Sequence, residues 1–473
     1  MPDTPAATSN FRIETDSLGE VRVPADAMYG AQTQRAHDNF PISGIRFSRR
    51  FIEALGLVKG AAARANRDLG ILDADTADAI AHACASVADG RLDAQFVLDI
   101  FQTGSGTSTN MNANEVIATA ANREIGRADR AVHPNDDVNA SQSSNDVIPT
   151  AMHVAARMAL AQDLLPALER FAASLDAKAS EFDDVVKSGR THLMDATPVT
   201  LGQEFGGYAA QIRGAVRRIE WAAADLKALA LGGTAVGTGI NTPNGFAIKA
   251  IEHLSALAGM DFAEADNHFE AQSAKDAYVF AAGALNTLAV SLMKIANDIR
   301  HLSSGPTSGL AEISLPSLQP GSSIMPGKVN PVMSESMMMV CARVMGNAAT
   351  VTIGGQHGNF ELNVMMPVMT HALLESVDIL TTSLDAFRTS CLDGITANRE
   401  RCRDLLERNP AIATALNRTI GYDLASKVAK KAAREGRSVR DVVTEMGILP
   451  DGADLDSLLN VREMTQPGIP GAH

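Results

Sequence analysis

Residues 285–302 read LNTLAVSLMKIANDIRHL. The apolar positions Leu285, Leu288, Leu292, Ile295, Ile299 and Leu302 follow one another in alternating steps of three and four. Such steps keep returning to one side of a helix, so the spacing predicts a long amphipathic helix. The same alternation runs through Val154, Met158, Ala161, Leu165, Leu168, Ala172, Leu175, Ala179 and Phe182, with Pro166 expected to kink or briefly break it. A third run opens at Thr200 with Gln203 three residues on, the pattern of a capping box, and continues through Tyr208, Ile212, Val216, Ile219 and Leu226. Further apolar segments lie at 331–352 and 362–388, where Met337, Met338 and Met339 read as core filler. Helices of ~35 residues are ~50 Å long, so the pattern predicts an elongated, near-parallel bundle. Strand signals are sparse, and only 10–24 reads as a small hairpin. Toward the C-terminus the chain becomes more charged with shorter helices, such as 424–436, which we read as a small separate domain.

The 473 residues are 45% hydrophobic and 20% charged, which places the chain among globular rather than disordered proteins. Forty-one Lys and Arg face fifty-five Asp and Glu, a formal charge of −14. That balance argues against a general nucleic-acid binder and against an anionic membrane surface as partner. Four isolated cysteines, Cys84, Cys341, Cys391 and Cys402, form no CxxC pair and read as reduced thiols of a cytoplasmic protein. The N-terminus lacks a basic region followed by an apolar run, so no secretory signal is expected. No stretch is expected to supply the ~18 apolar residues of a membrane span.

Between the helical runs lie segments rich in Gly, Ser, Thr, Asn and Pro: 103–112, 133–149, 188–200, 231–245 and 303–331. Long irregular connections of this kind are uncommon unless they carry function. Gly321–Pro331, GSSIMPGKVNP, superficially resembles a phosphate loop but has the wrong glycine spacing and Val329 where Ser or Thr is needed. It offers two hydroxyls, Ser322 and Ser323, glycine-flanked N–H groups, Lys328 and Asn330, a set suited to a carboxylate or a developing dianion. A solvent-exposed turn is the equal alternative from composition alone. Ser105, Gly106 and Thr107 precede a helical run and suit either plain capping or anion binding. His133–Asp137 with Ser141–Asp146 matches no common metal-ligand spacing and reads rather as a polar loop leading into a helix near Pro149. His192, in Gly189–Pro198, is a candidate acid or base, its ordinary pKa being ~6.5. HExxH, GxSxG and EF-hand patterns are absent, and the glycines of Leu231–Gly239 follow no strand, so a dinucleotide fold is improbable.

Taken together, GSSIMPGKVNP at 321–331, HPNDDVN at 133–139 with QSSND at 142–146, and GRTHLMDATP at 189–198 closely resemble class II fumarase, in the fumarase/aspartase superfamily. The resemblance runs from about Val23–Asp26 and Tyr29–Arg35 to Ile420–Asp423. It implies an all-α, three-domain fold (1–145, 146–370, 371–473) whose central helices join those of other copies in a homotetramer. It also implies reversible hydration of fumarate to L-malate, a tricarboxylic acid cycle step, through an aci-carboxylate and without metal or cofactor. By the same resemblance Ser322 is the base, and His192 serves the hydroxyl side with Glu335 as charge partner. Ser105, Gly106, Thr107, Ser143, Ser144, Asn145, Thr191, Ser323, Lys328, Val329 and Asn330 then bind the dicarboxylate. Arg130, His133, Pro134, Asn135 and Asp136 match a second, non-catalytic anion site. Met194 stands where glutamine is frequent and Thr307 where arginine is, both beside intact groups. The rival readings are an aspartate ammonia-lyase, in which Gln usually replaces His192, and a silent helical scaffold.

Overall fold

The computed structural model describes residues 10–126 and 131–470. Helices dominate: α1 (Arg49–Asp68), α2 (Ala74–Ala88), α3 (Thr107–Ile125), α4 (Ser144–Met158), α5 (Leu165–Glu181), α6 (Leu201–Asp225), α7 (Asp276–Leu302), α8 (Val332–Gly355), α9 (Met366–Ser390) and α10 (Tyr422–Glu435), with shorter helices between them. Among the described residues strands occur only in pairs. The longest are the antiparallel hairpins β1 (Phe11–Asp16) with β2 (Gly19–Pro24), expected at 10–24, and β3 (Val186–Thr191) with β4 (Met194–Thr200).

The stripe Leu285, Leu288, Leu292, Ile295, Ile299 and Leu302 is buried throughout α7. Each such side chain removed from water contributes about 1.5–3 kcal/mol, which is why this spacing fixes the helix's inner face. The capping box also forms: Gln203 N donates to Thr200 Oγ1 at 3.0 Å, and Thr200 N donates to Gln203 Oε1 at 2.9 Å. The second stripe loses phase. Residues Ala159–Leu164 form a π-helical stretch between α4 and α5. Its wider turn brings Leu160 and Leu164 inside and leaves Ala161 and Leu165 half-buried. The interruption therefore precedes Pro166, which lies within the first turn of α5.

Three further expectations are corrected. Segment 188–200, read as an irregular loop, is most of the β3–β4 hairpin. Of the three methionines only Met337 is buried, while Met339 is exposed, because a helix turns neighbouring residues to different sides. Two helices, α7 and α8, are long and apolar enough to cross a membrane by length and composition, contrary to the expected absence. Of their most apolar windows, 50% is buried inside the protein in α7 and 33% in α8.

Two compact units are present, and each boundary between them falls inside a helix. The first is drawn from Met1–Pro166, Arg217–Ala289 and Ala342–Thr381. Its core includes Ile52 and Ala63 of α1, Ile80, Cys84 and Val87 of α2, and Ala113 and Ile117 of α3. Gly56 permits the close approach of α1 to α2, since a Cβ there would lie 2.8 Å from Ala88 N. The second is drawn from Ala167–Val216, Val290–Cys341 and Thr382–His473. It contains an edge-to-face Phe182–Phe205 pair with ring centres 5.4 Å apart. It also holds an apolar cluster of Leu406, Leu416, Val428, Val439 and Val442 around α10.

Candidate active site

In the second unit, Thr191 and His192 stand at the tip of the β3–β4 hairpin. Thr191 pairs with Met194, leaving His192 and Leu193 as a two-residue turn with φ of 55° and 61°. Left-handed φ at both positions is what a right-twisted hairpin needs, and Asn-Gly is the usual solution. A side chain there costs about 1–2 kcal/mol per residue, so the tip depends on what lies beneath it. Gly189 lets the strands close: a Cβ would lie 2.5 Å from Thr197 O. Arg190 grips the fully buried Glu312 carboxylate through two N–H donors at 2.9 and 2.8 Å. The buried Lys187 ammonium lies 2.8 Å from Glu204 and 3.3 Å from Glu312. Burial pushes the Glu204 carboxyl above its ordinary range, against the pull of Lys187. Asn409 Nδ2 ties both strands together, donating to Ser188 Oγ at 3.0 Å and to Ala196 O at 2.8 Å. The His192 ring itself is exposed, with no hydrogen-bond partner among the described residues.

Also in the second unit, the segment Gly321–Asn330 closes into a loop. Gly321 N donates to Lys328 O at 2.9 Å, and Asn330 Nδ2 donates to Gly321 O at 2.6 Å. Glycine is required at this crossing, because a Cβ on Gly321 would meet Lys328 O at 2.2 Å. Inside the loop the Ser322 hydroxyl oxygen accepts two backbone N–H groups, from Ile324 at 3.2 Å and Met325 at 3.0 Å. Donors converging on a hydroxyl favour its anion. Ser323, Lys328 and Val329 are exposed, and the Lys328 ammonium has no partner among the described residues. Lys328, Val329 and Asn330 line a cavity of about 560 Å³ with Pro306, Ile313 and Asn398. Glu335 lies in the first turn of α8, where the helix dipole suits a carboxylate. It too is exposed, and no hydrogen bond joins it to His192.

In the first unit, six expected residues come together. Gly106, at φ 73°, precedes α3. A chain of hydroxyls follows: Ser105 Oγ and Thr107 Oγ1 are 2.7 Å apart, and Thr107 Oγ1 donates to Ser144 Oγ at 2.9 Å. Ser143 caps α4 in a capping box with Asp146. Asn145 Nδ2 donates to Ala235 O at 2.8 Å. Gly104 brings this turn against the backbone of Val364, whose oxygen would lie 1.9 Å from a Cβ at that position.

Of the second anion set, Arg130 lies outside the described residues. His133 precedes a π-helical turn, Pro134–Val138, and its Nδ1 accepts from Asp136 N at 3.1 Å. The Asp136 carboxylate lies 3.3 Å from the same nitrogen. His133, Pro134 and Asn135 line a cavity of about 760 Å³.

Sequence reasoning passed over the groups beneath these turns. Asn139 Oδ1 accepts from the fully buried Lys59 ammonium at 2.9 Å and from Asn110 and Asn114 at 3.2 Å each. Burial pushes Lys59 down to about 7. The signal was a lysine inside the apolar run Leu55–Ala63, where a charge has no obvious outlet to water. Among the described residues no cluster of three or more His, Cys, Asp or Glu is placed to hold a metal ion.

Comparison with known proteins gives consistent matches. A family model described as Lyase matches residues 19–346, and one described as fumarase C C-terminus matches residues 412–466. The class II fumarate hydratase of Mycobacterium tuberculosis H37Rv is 53% identical over 98% of this chain and 97% of its own. That of Halobacterium salinarum is 56% identical over 98% of each. The crystal structure of a class II fumarase from Schistosoma mansoni has a TM-score of 0.94 at 39% identity, covering 97% of this chain and all of its own. A fumarate lyase:delta crystallin from Brucella melitensis, bound to cobalt, has a TM-score of 0.92 at 46% identity, with 97% of this chain and 100% of its own covered.

Proposed function

The chain belongs to the class II fumarate hydratases, and on that premise we propose how its residues divide the work of interconverting fumarate and L-malate. The protein is a lyase with the all-α fold of that family. The proton leaving malate sits beside a carboxylate and is very weakly acidic, so charge on the resulting aci-carboxylate must be met by donors already in place. Ser322, ionised, takes that proton. The observation that carries this assignment is the pair of N–H groups from Ile324 and Met325 on its hydroxyl oxygen. Lys328, unpaired among the described residues, meets one carboxylate together with Asn330, whose amide is oriented by Gly321 O. Thr107, Ser143, Ser144, Asn145 and Thr191 supply the remaining hydrogen bonds. His192, with Glu335 beside it in the assembled site, protonates the departing hydroxyl through a bound water, and fumarate and water remain. The scheme calls on no metal or cofactor. His133, Pro134, Asn135 and Asp136, with Arg130, form a second anion site.

His192, Glu335 and Lys328 are all exposed and unpartnered among the described residues, and α7 and α8 leave Phe280, Val290, Met339 and Ile353 exposed. These features support a homotetramer in which α7 and α8 meet other copies rather than lipid and the three groups of residues meet across subunits. The four free, buried cysteines support a reducing cytoplasmic location. The test follows absorbance of the fumarate double bond, first from malate and then from aspartate. Turnover of malate is expected; turnover of aspartate alone would select the ammonia-lyase, and of neither the scaffold. Light scattering on the same sample reads the assembly, and a fully active monomer would reject the shared site.

A further inference from the structure

The glycine-rich segment Leu231–Asn241 has no part in the scheme above, yet it is held against one of the proposed binding turns by hydrogen bonds, one of them buried. The Asp146 side chain is fully buried. One of its oxygens accepts from Ser143 N at 2.9 Å, and the other accepts from Gly232 N and Thr234 N at 3.0 Å each. Beside it, Asn145 Nδ2 donates to Ala235 O at 2.8 Å. From the other side the buried Gln272 donates to Thr234 O at 2.8 Å. The segment can take this path only with unusual residues. Gly232, Thr234, Gly237 and Gly239 all have positive φ, and a Cβ on Gly233 would lie 2.2 Å from Gln272 Oε1. Burial pushes the Asp146 carboxyl up, and the three N–H groups and the nearby Lys59 oppose this.

We propose that Asp146 and the Leu231–Asn241 segment are positioning elements for carboxylate recognition by Ser143–Asn145. Asp146 ties the N-cap of α4 to the segment, so the two move as one. Ala235 O holds one proton of the Asn145 amide, which fixes the NH2 edge and leaves its second proton for an anion. With the amide reversed, two carbonyl oxygens would face each other. This inference rests on the reading of Ser143–Asn145 as part of the dicarboxylate site.

The experiment compares the intact protein with Asp146→Asn and Gln272→Leu. The first sets an NH2 either against the two donors Gly232 N and Thr234 N or against Ser143 N, so one side of the tie is lost, and the second removes the outer tie without touching the turn. Readouts are KM and kcat for fumarate and malate, the inhibition constant of succinate, and the thermal midpoint. Asp146→Asn is expected to raise both KM values and the succinate constant about tenfold while kcat changes less than about threefold, the pattern of lost uniform binding. Gln272→Leu is expected to raise the succinate constant about threefold. If Asp146→Asn does not fold, Gln272→Leu decides the matter. A folded variant with a lowered thermal midpoint and a succinate constant within about twofold of the parent would make the contact merely structural and overturn the proposal. The underlying reading is tested apart: unchanged succinate affinity in Ser143→Ala and Asn145→Ala would remove the turn from the site.

Discussion

Replacing Gly321 by alanine isolates the claim that the Ser322 loop is held in place by its own backbone. The new Cβ would lie 2.2 Å from Lys328 O and 2.9 Å from Asn330 N. A carbon and an oxygen settle no closer than about 3.3 Å, so the Lys328 carbonyl must retreat by about 1 Å. That displacement breaks the bond from Gly321 N to Lys328 O and weakens the one from Asn330 to Gly321 O. Each contributes about 1 kcal/mol net, so loop closure loses between about 1 and 2 kcal/mol. The larger effect is kinetic: a misplacement of about 1 Å at a reacting group costs about a hundredfold in rate, equivalent to about 2.7 kcal/mol of barrier. Residues 323–329 are exposed and outside the apolar clusters, so the fold should survive. Gly321→Ala is expected to lower kcat about a hundredfold, read from absorbance of the fumarate double bond, with the thermal midpoint within about 2 °C of the parent. Turnover within about twofold of the parent would refute the reasoning, because the loop would then tolerate a shift of its frame.

Ser322→Ala should lower turnover by about a thousandfold or more without altering the oligomeric mass; near-normal rates would reject Ser322 as the base. His192→Asn should cost about a hundredfold in kcat and leave succinate inhibition nearly unchanged, and unaltered kcat would remove His192 from the hydroxyl side. Lys59, pushed down from 10.5 to about 7 by burial, binds fewer protons in the folded than in the unfolded chain between those values. Its contribution to stability therefore rises with pH across that window, by up to about 1.4 kcal/mol per pH unit, and is flat below it. Lys59→Met removes this slope, so the parent's thermal midpoint should gain on the variant's from pH 7 to pH 10; parallel curves would show that Lys59 keeps its ordinary affinity for protons.

Much of the fold was legible because burial repeats along a helix. The α7 stripe and the Thr200–Gln203 cap each carry their instruction in residues a few positions apart. The β3–β4 hairpin did not, since His192–Leu193 gives no turn signal and its support comes from Glu312 and Asn409, far along the chain. Nor did the phase shift at Ala159–Leu164, where one wider turn moves Leu164 inward and Leu165 outward with no marker in composition. An exposed Met339 and a buried Met337 look alike in sequence because burial depends on what faces them. The proposed binding groups were drawn from family resemblance, whereas Lys59, Asp146 and Gln272 act through long-range contacts that only the fold reveals.

The hairpin tip sets two demands against each other. Asn-Gly at 192 and 193 would relieve a left-handed backbone that now costs about 1–2 kcal/mol per residue. It would also delete the imidazole to which the proposed scheme assigns the hydroxyl side. Directed evolution of this chain toward heat resistance is thus drawn to the two adjacent codons where, on the proposed scheme, improvement lowers turnover about a hundredfold. A screen scoring survival alone would enrich robust, slow enzyme, and one scoring turnover after heating would leave this tip as it is.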